Sequence, residues 1–560
     1  MKSKFFKLYI TAIFCLWVII LPAQTLDICI YGGTASGVMA AVAAKKAGKS
    51  VIIVETTRYL GGIIGGGIRI NRDTRHPEEI GGLTLLLMKK DMGIGGGPHE
   101  NQSKLRELFT ELVKKNKIPV IFEHRLGNIN KINNRIHKLF LDYAPTGKYG
   151  CPVPYPLKVN AKSVVAKTFI DCSYEGDLMA LSGVSYVVGR ESRDEFKESL
   201  AGQRNLRVFD ISPYKIPNDP SSGLLPFIDS EPFAEGAASR HIMAYNFRLQ
   251  WVSPEFGTIL GEPSHYNPEK YELVRRALAI NPKYIGWPSD NYTRESLFSG
   301  GLPGRQSDYP DGNWVERSKI WQEWIDHVKI MHKLTNCDKS LKKGEFAENN
   351  DFPDQLYIRL GRRMRGPYVM TQHDLMLQTD VADCIGLGYG WDGWTDIYPV
   401  RIIATSEGKV ATEGESNETI SPGPYKISYR SIIPKEDECS NLLVPVCLSS
   451  THIAMSSIRM EATWMLIGES AGIAAAQSIN EGVPVQRIDM SKYNQNLLSA
   501  GQILEWDGTG FGCWGGSEKC WWYKHPEDYK VKPIASILKG PRKQSEFAKE
   551  FEQARMGKKE

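Results

Sequence analysis

Apolar positions cluster most tightly near the start of the chain. Leu26-Asp27-Ile28-Cys29-Ile30-Tyr31 carries apolar side chains at positions of both parities, which predicts a buried strand. It runs directly into Gly32-Gly33-Thr34-Ala35-Ser36-Gly37 and an Ala-rich segment ending at Lys46-Ala47-Gly48, the pattern of a glycine turn, a helix and its stop. Ser50 to Glu55 predicts a second strand, closed by a carboxylate 23 positions after Gly32. Further along, Thr168-Phe169-Ile170-Asp171 and Leu442 to Val446 also predict strands. Between Lys319 and Leu334, Ile320, Trp324, Val328 and Met331 recur at spacings of four, four and three, which predicts a helix with a core-facing stripe. The rest of 195–400 mixes Pro, Gly, Tyr and Trp without a detectable internal repeat.

Composition places these segments in an ordinary globular protein. The 560 residues are 42% hydrophobic and 24% charged, which excludes disordered, collagen-like and coiled-coil classes. Residues 1–7 hold three lysines and no acid, and Leu8 to Ala23 is a mostly apolar 16-residue run. This is the shape of a secretory signal, with cleavage expected after Ala23; an uncleaved membrane anchor is the alternative. Removal lowers the net charge from +5 to +2, with no basic excess to suggest a nucleic-acid partner. The chain is therefore expected to be exported, periplasmic or secreted. Nine cysteines then remain, an odd number that leaves at least one thiol free. Cys513 and Cys520 are the candidate disulfide in an oxidising compartment, with two buried thiols as the alternative. No CxxC pair, HExxH or Cys/His cluster points to a metal site.

The strand, glycine turn, helix and acid-terminated strand together form a dinucleotide-binding unit. Gly32 allows the tight turn and Gly37 close helix packing, so that N–H groups at the helix start face a pyrophosphate. Glu55 stands where a carboxylate accepts hydrogen bonds from ribose hydroxyls. Thr34 departs from the general fingerprint, occupying the place of its middle glycine. Arg58-Tyr59-Leu60-Gly61-Gly62-Ile63-Ile64-Gly65-Gly66-Gly67 follows at once, and such glycines let backbone approach a flat ring system; a surface loop is the alternative.

These motifs resemble the FAD-dependent oxidoreductase family of glutathione-reductase-like flavoproteins, in its exported bacterial branch, where Thr34 is normal. The likeness also rests on Ile170-Asp171-Cys172-Ser173-Tyr174-Glu175-Gly176-Asp177-Leu178, Gly189-Arg190-Glu191-Ser192 and Ala244-Tyr245-Asn246-Phe247-Arg248. Later markers are Tyr357-Ile358-Arg359, Tyr429 to Pro434, and the run from Asn441 through Ser457-Ile458-Arg459-Met460-Glu461 to Gly472. The resemblance implies an α/β, Rossmann-like FAD/NAD(P)-binding domain built from discontinuous segments, 24–195 and 401–485. An inserted α+β substrate domain, 196–400, lies between them, and 486–560 forms an aromatic-rich extension with a polar tail. FAD is the implied cofactor, held by Gly32, Gly33, Thr34, Ala35, Ser36, Gly37, Glu55, Arg58, Gly61, Gly62 and Asp171, with Arg459, Gly468 and Gly472. A helix starting near Gly468 is expected to present N–H groups to a reduced flavin, small-residue helix packing being the alternative.

Because FAD carries the electrons, the protein must orient a substrate and manage a proton. Among 11 histidines, His452 lies between the Leu442 strand and the segment resembling the flavin-proximal helix, making it the candidate base, with a pKa expected near working pH; a structural histidine bonding backbone is the alternative. Tyr398 is a second candidate, in Thr395-Asp396-Ile397-Tyr398, where the family often carries histidine. Arg430 and Arg459 are candidate anchors for a substrate carboxylate or the pyrophosphate, with a structural ion pair as the alternative for either. Arg359, Arg362, Arg363 and Arg365 are expected on a solvated face. Four tryptophans fall within the 17 positions 506–522, a surface for stacking on sugar rings or an ordinary aromatic cluster. The expected activity is hydride removal from a small polar, carbohydrate-derived substrate, with an electron acceptor not specified by the sequence. A non-redox glycan-binding module with structural or absent FAD is the alternative.

Overall fold

The computed structural model describes residues 25–68, 80–90, 102–288, 296–377, 379–388, 399–414 and 424–505. The segment expected to be a secretory signal, Tyr398, Cys513, Cys520 and the aromatic-rich stretch beyond Glu505 lie outside the described residues. Among the described residues no helix is long and apolar enough to cross a membrane.

Strand β1 (Leu26–Tyr31) leads through helix α1 (Ala35–Lys46) to β2 (Val51–Val54), which lies parallel to it with Ile28 opposite Val51. Helix α2 (Gln102–Lys115) precedes β3 (Val120–Ile121), which extends the parallel sheet beyond β2. Strands β4 (His124–Ile132) and β5 (Arg135–Tyr143) then form an antiparallel hairpin that pairs with β6 (Lys158–Asp171). The 14 residues of β6 divide between two environments. The first half pairs with β5 and is mostly exposed, whereas Ala166–Asp171 runs parallel to β1 and is almost wholly buried. This follows from layer cover: a parallel sheet has both faces packed, while an antiparallel meander keeps one face in water.

The inserted region builds its own layers. Strand β7 (Arg207–Phe209) and β8 (Ile228–Asp229) flank a pair formed much later, β9 (Arg401–Ala404) and β10 (Val410–Glu413), in one four-stranded sheet. Helix α3 (Trp314–Leu334) crosses this region, with Ile320, Trp324, Val328 and Met331 all at 0% exposure, as their spacing predicts. Asn313 caps its start by accepting from the N–H groups of Val315 and Glu316.

The chain returns to the first sheet through β11 (Leu442–Leu443), parallel to β6 with Leu442 opposite Phe169. Helix α4 (His452–Ile458) follows, then the long α5 (Glu461–Glu481) and α6 (Met490–Ser499). Three boundaries move from their expected places. Residues 401–413 belong to the inserted sheet, because β9 and β10 pair with strands near 208 and 228. The described part of the expected extension, through 505, packs onto the nucleotide domain: Tyr493 is fully buried and donates to the Ser470 carbonyl at 2.8 Å. The third is the start of the late helix, which is Glu461 rather than Gly468. Gly468 and Gly472 sit inside α5 against α1, where a Cβ on either would run into the carbonyl oxygen of Ser36 or Ala40. Their small size serves close helix packing.

Candidate active site

At the end of β1, Gly32 has φ +96°, and a Cβ there would sit 2.6 Å from the Ser173 backbone nitrogen. A Cβ on Gly37 would meet the Gly32 carbonyl oxygen, so turn and helix close on each other only because both residues are glycine. Thr34 has a purpose that a middle glycine lacks. Its hydroxyl accepts from the Gly37 N–H at 3.2 Å, capping α1, and donates to the Cys172 carbonyl at 2.8 Å, tying the helix start to the end of β6. The Gly61 N–H donates to the Gly33 carbonyl at 2.8 Å, which draws the Leu60-Gly61-Gly62 segment against the same turn.

Glu55, buried at the end of β2, accepts from the Gly33 N–H at 2.5 Å and from the Thr57 N–H at 2.7 Å. Burial raises its pKa above the ordinary carboxylate value, although these bonds oppose the rise. Turn and carboxylate open on one cavity, whose wall includes Gly32, Thr34, Glu55, Thr57 and Thr146, and which continues past Gly62 and Tyr174. Arg58 stands near its outer rim, half exposed, donating to the Thr146 carbonyl at 2.8 Å.

Asp171 is fully buried and builds the adjoining turn, accepting from the Ser173 N–H, the Ser173 hydroxyl and the Met179 N–H. Burial still pushes its pKa up to about 6. Glu175, on the cavity wall, is likewise pushed up to about 7 by burial, against the pull of the Arg317 charge. Asp177 goes the other way, to about 2, because Arg317 and Arg362 overcome the cost of its burial. The Tyr174 hydroxyl joins two elements: it accepts from the Ile63 N–H at 2.9 Å and donates to Glu461, the first residue of α5, at 2.8 Å. The start of α5 is thereby fixed beside the Gly61–Gly67 segment.

Of the four arginines expected on a solvated face, Arg359, Arg362 and Arg363 are buried instead, and Arg365 is partly buried. Arg359 and Arg363 are at most 1% exposed, and the segment includes the short strands Leu356–Tyr357 and Arg363–Met364. Arg459, also buried, donates to the Tyr357 hydroxyl at 3.0 Å. Arg430 is half exposed and committed to Asp383 at 2.9 Å, so the geometry gives it a surface ion pair rather than an anchoring position.

His452 begins α4, directly after Thr451, whose hydroxyl accepts from the Ala454 N–H and donates to Glu198 at 2.6 Å. The imidazole is 7% exposed, and its Nδ1 lies 2.6 Å from Glu191 Oε2. Burial is the main reason its pKa is pushed down to about 4, outweighing the carboxylate; the ring is neutral at neutral pH, contrary to the expected value near working pH. Burial alone would raise Glu191, but the Arg363 charge and the imidazole hold it far below the usual carboxylate range. Nε2 has no protein partner among the described residues, and His452 lines a cavity with Ser456, one helical turn on, and with Met243, Leu360 and Arg190. Sequence reasoning singled out His452 but passed over Glu191 and Tyr174, although both stand inside quoted motifs.

Among the described residues, one trio has the spacing of metal ligands: Asp229, Glu231 and His241. The Arg401 guanidinium lies 3.7 and 3.8 Å from its two carboxylates, so a cation already faces them.

A parallel sheet with a capped glycine turn, a terminal carboxylate and a cavity across both defines a dinucleotide-binding α/β protein. Residues 27–497 match the family model described as FAD dependent oxidoreductase, and the chain belongs to that family. Comparison with curated proteins returned no match. Solved structures with partial similarity include thioredoxin reductase from T. acidophilum, with 17% identity over 27% of this chain and 35% of that one and a TM-score of 0.17. Another is a flavin-containing monooxygenase from Stenotrophomonas maltophilia, with 13% identity, 30% and 43% coverage and a TM-score of 0.19. The alignments span less than half of either chain, and the functional assignment rests on the family match. The residues present fit FAD: the side-chain-free turn at Gly32 and Gly33 and the start of α1 would hold the pyrophosphate, and Glu55 the ribose.

Proposed function

We propose that this FAD-dependent oxidoreductase oxidises an alcohol or amine on a small polar, carbohydrate-derived substrate, with His452 as the base. FAD, when bound, supplies the acceptor for the hydride. As the substrate's C–H pair leaves as hydride, its O–H or N–H proton passes to His452 Nε2, and a C=O or C=N bond forms. The observation that carries this reading is the imidazole geometry: Nδ1 is engaged by Glu191, burial holds the ring neutral, and Nε2 has no protein partner among the described residues, with His452 on a cavity wall. An acid/base histidine needs an available nitrogen whose protonation state is set before substrate arrives.

The carbohydrate class rests on the resemblance to the exported branch, and export itself on the lysines and apolar run of residues 1–23. In that setting the electrons pass on to oxygen or a periplasmic acceptor. The test is anaerobic mixing of the purified holoprotein with a panel of sugars, polyols and amino acids. Bleaching of the visible flavin bands by a sugar or polyol is expected; bleaching by amino acids alone would overturn the substrate class.

A further inference from the structure

Resting on the reading of His452 as the base, we propose that Glu191 is its positioning residue. Glu191, itself held by Arg363, fixes the Nδ1-protonated tautomer and so makes Nε2 the accepting atom.

The two residues meet from chain segments 261 positions apart. Glu191 Oε2 receives two donors from one residue: the His452 backbone N–H at 3.0 Å and the ring Nδ1 at 2.6 Å. The first contact fixes where the residue enters α4 and the second fixes the rotation of its ring. A carboxylate oxygen that close to a ring nitrogen requires a proton between them, and a neutral imidazole has only one N–H to give. The proton is therefore on Nδ1 and the lone pair on Nε2. The backbone N–H of Glu191, 3.3 Å from Nδ1, is the weaker competitor for that nitrogen.

The carboxylate is held as firmly as the imidazole. Its other oxygen accepts from Arg363 Nη2 at 2.7 Å and from Arg365 at 3.3 Å. Arg363 also donates to the carbonyls of Gly189 at 2.9 Å and Ser450 at 3.1 Å, two residues before Glu191 and two before His452. One guanidinium thus spans both segments that deliver the pair. This extent of side-chain support is what separates a catalytic constellation from an incidental buried contact.

The test reads the tautomer directly, without substrate. Wild-type holoprotein labelled with ¹⁵N-histidine should show one imidazole with a protonated Nδ1, an unprotonated Nε2 and a low-field N–H proton, assigned by its absence in His452→Gln. A His452 ring protonated on Nε2 overturns the proposal; through-bond correlation to the His452 backbone identifies the ring should the variant fail to fold. In Glu191→Gln, with flavin retained, the low-field signal should vanish and the fixed tautomer be lost. Flavin reduction by the active compound should also slow about 10²- to 10⁴-fold. In Glu191→Asp the signal should return in part. Persistence of the signal and rate in Glu191→Gln overturns the positioning role alone. An unchanged rate in His452→Gln overturns the reading beneath it.

Discussion

The dinucleotide turn and the histidine site are both buried and polar, but they are assembled in different ways. The turn is nearly local: Gly32, Thr34, Gly37 and Glu55 lie within 24 consecutive residues, joined from just outside by the N–H groups of Thr57 and Gly61 and from far along the chain by the Cys172 carbonyl. The histidine site draws Glu191, Arg363 and His452 from three distant segments, and its order depends on charge-assisted hydrogen bonds rather than on backbone shape. A backbone-shaped site tolerates no added side chain, whereas a side-chain-shaped site tolerates no lost proton or charge.

The largest effect should come from filling the turn. Gly32→Val with Gly37→Val puts Cβ atoms into the Ser173 backbone and the Gly32 carbonyl. Destabilisation of about 3 kcal/mol or more is expected, with visible absorbance per protein falling to that of the apoprotein. Retained flavin would break the assignment of the site.

At the histidine site the opposite pattern is expected. His452→Gln should keep its flavin and its melting temperature near wild type, yet slow anaerobic flavin reduction about 10²- to 10⁴-fold. Loss of flavin in this variant would mean that the two regions are not separable.

A smaller effect concerns α5, which packs against α1 beside the turn. Burial pushes Glu469 up to about 7, although the Leu83 N–H and Gln502 bonds favour its charge. Below about pH 4.5 folded and unfolded chains both hold this proton. Between there and pH 7 the unfolded chain releases it while the folded chain keeps it, so wild-type stability falls as pH rises through that window. Glu469→Gln removes this dependence and should gain on wild type by up to about 3 kcal/mol at pH 8. Urea midpoints of both proteins at pH 5 and pH 8 would check it. The smallest effect is Arg430→Ala at the half-exposed pair with Asp383, expected below about 1 kcal/mol in the same urea assay, with flavin content and reduction rate unchanged.

The same contrast explains what was legible in the sequence. The first strand, glycine turn and helix, and the stripe of α3, follow from periods and turn residues that act over a few positions. Tyr174 and Glu191 stand in recognisable motifs, but their roles depend on Glu461 and His452, 287 and 261 positions away, and no local pattern encodes such pairing. Arg359 and Arg363 were misjudged for the same reason. Charge argues for a solvated face until the partners that neutralise it are known, and Glu191 is revealed only by the fold. Gly468 and Gly472 suggested a helix start, but small residues inside a helix serve equally to let another backbone approach, as α1 does here.

The most direct test of the account is the rate of anaerobic flavin bleaching by a bleaching sugar or polyol, measured on wild type and His452→Gln at matched flavin content. The account predicts that the variant binds the compound, keeps its flavin and bleaches at least about a hundredfold more slowly. Equal rates in the two proteins would contradict the assignment of His452 as the base.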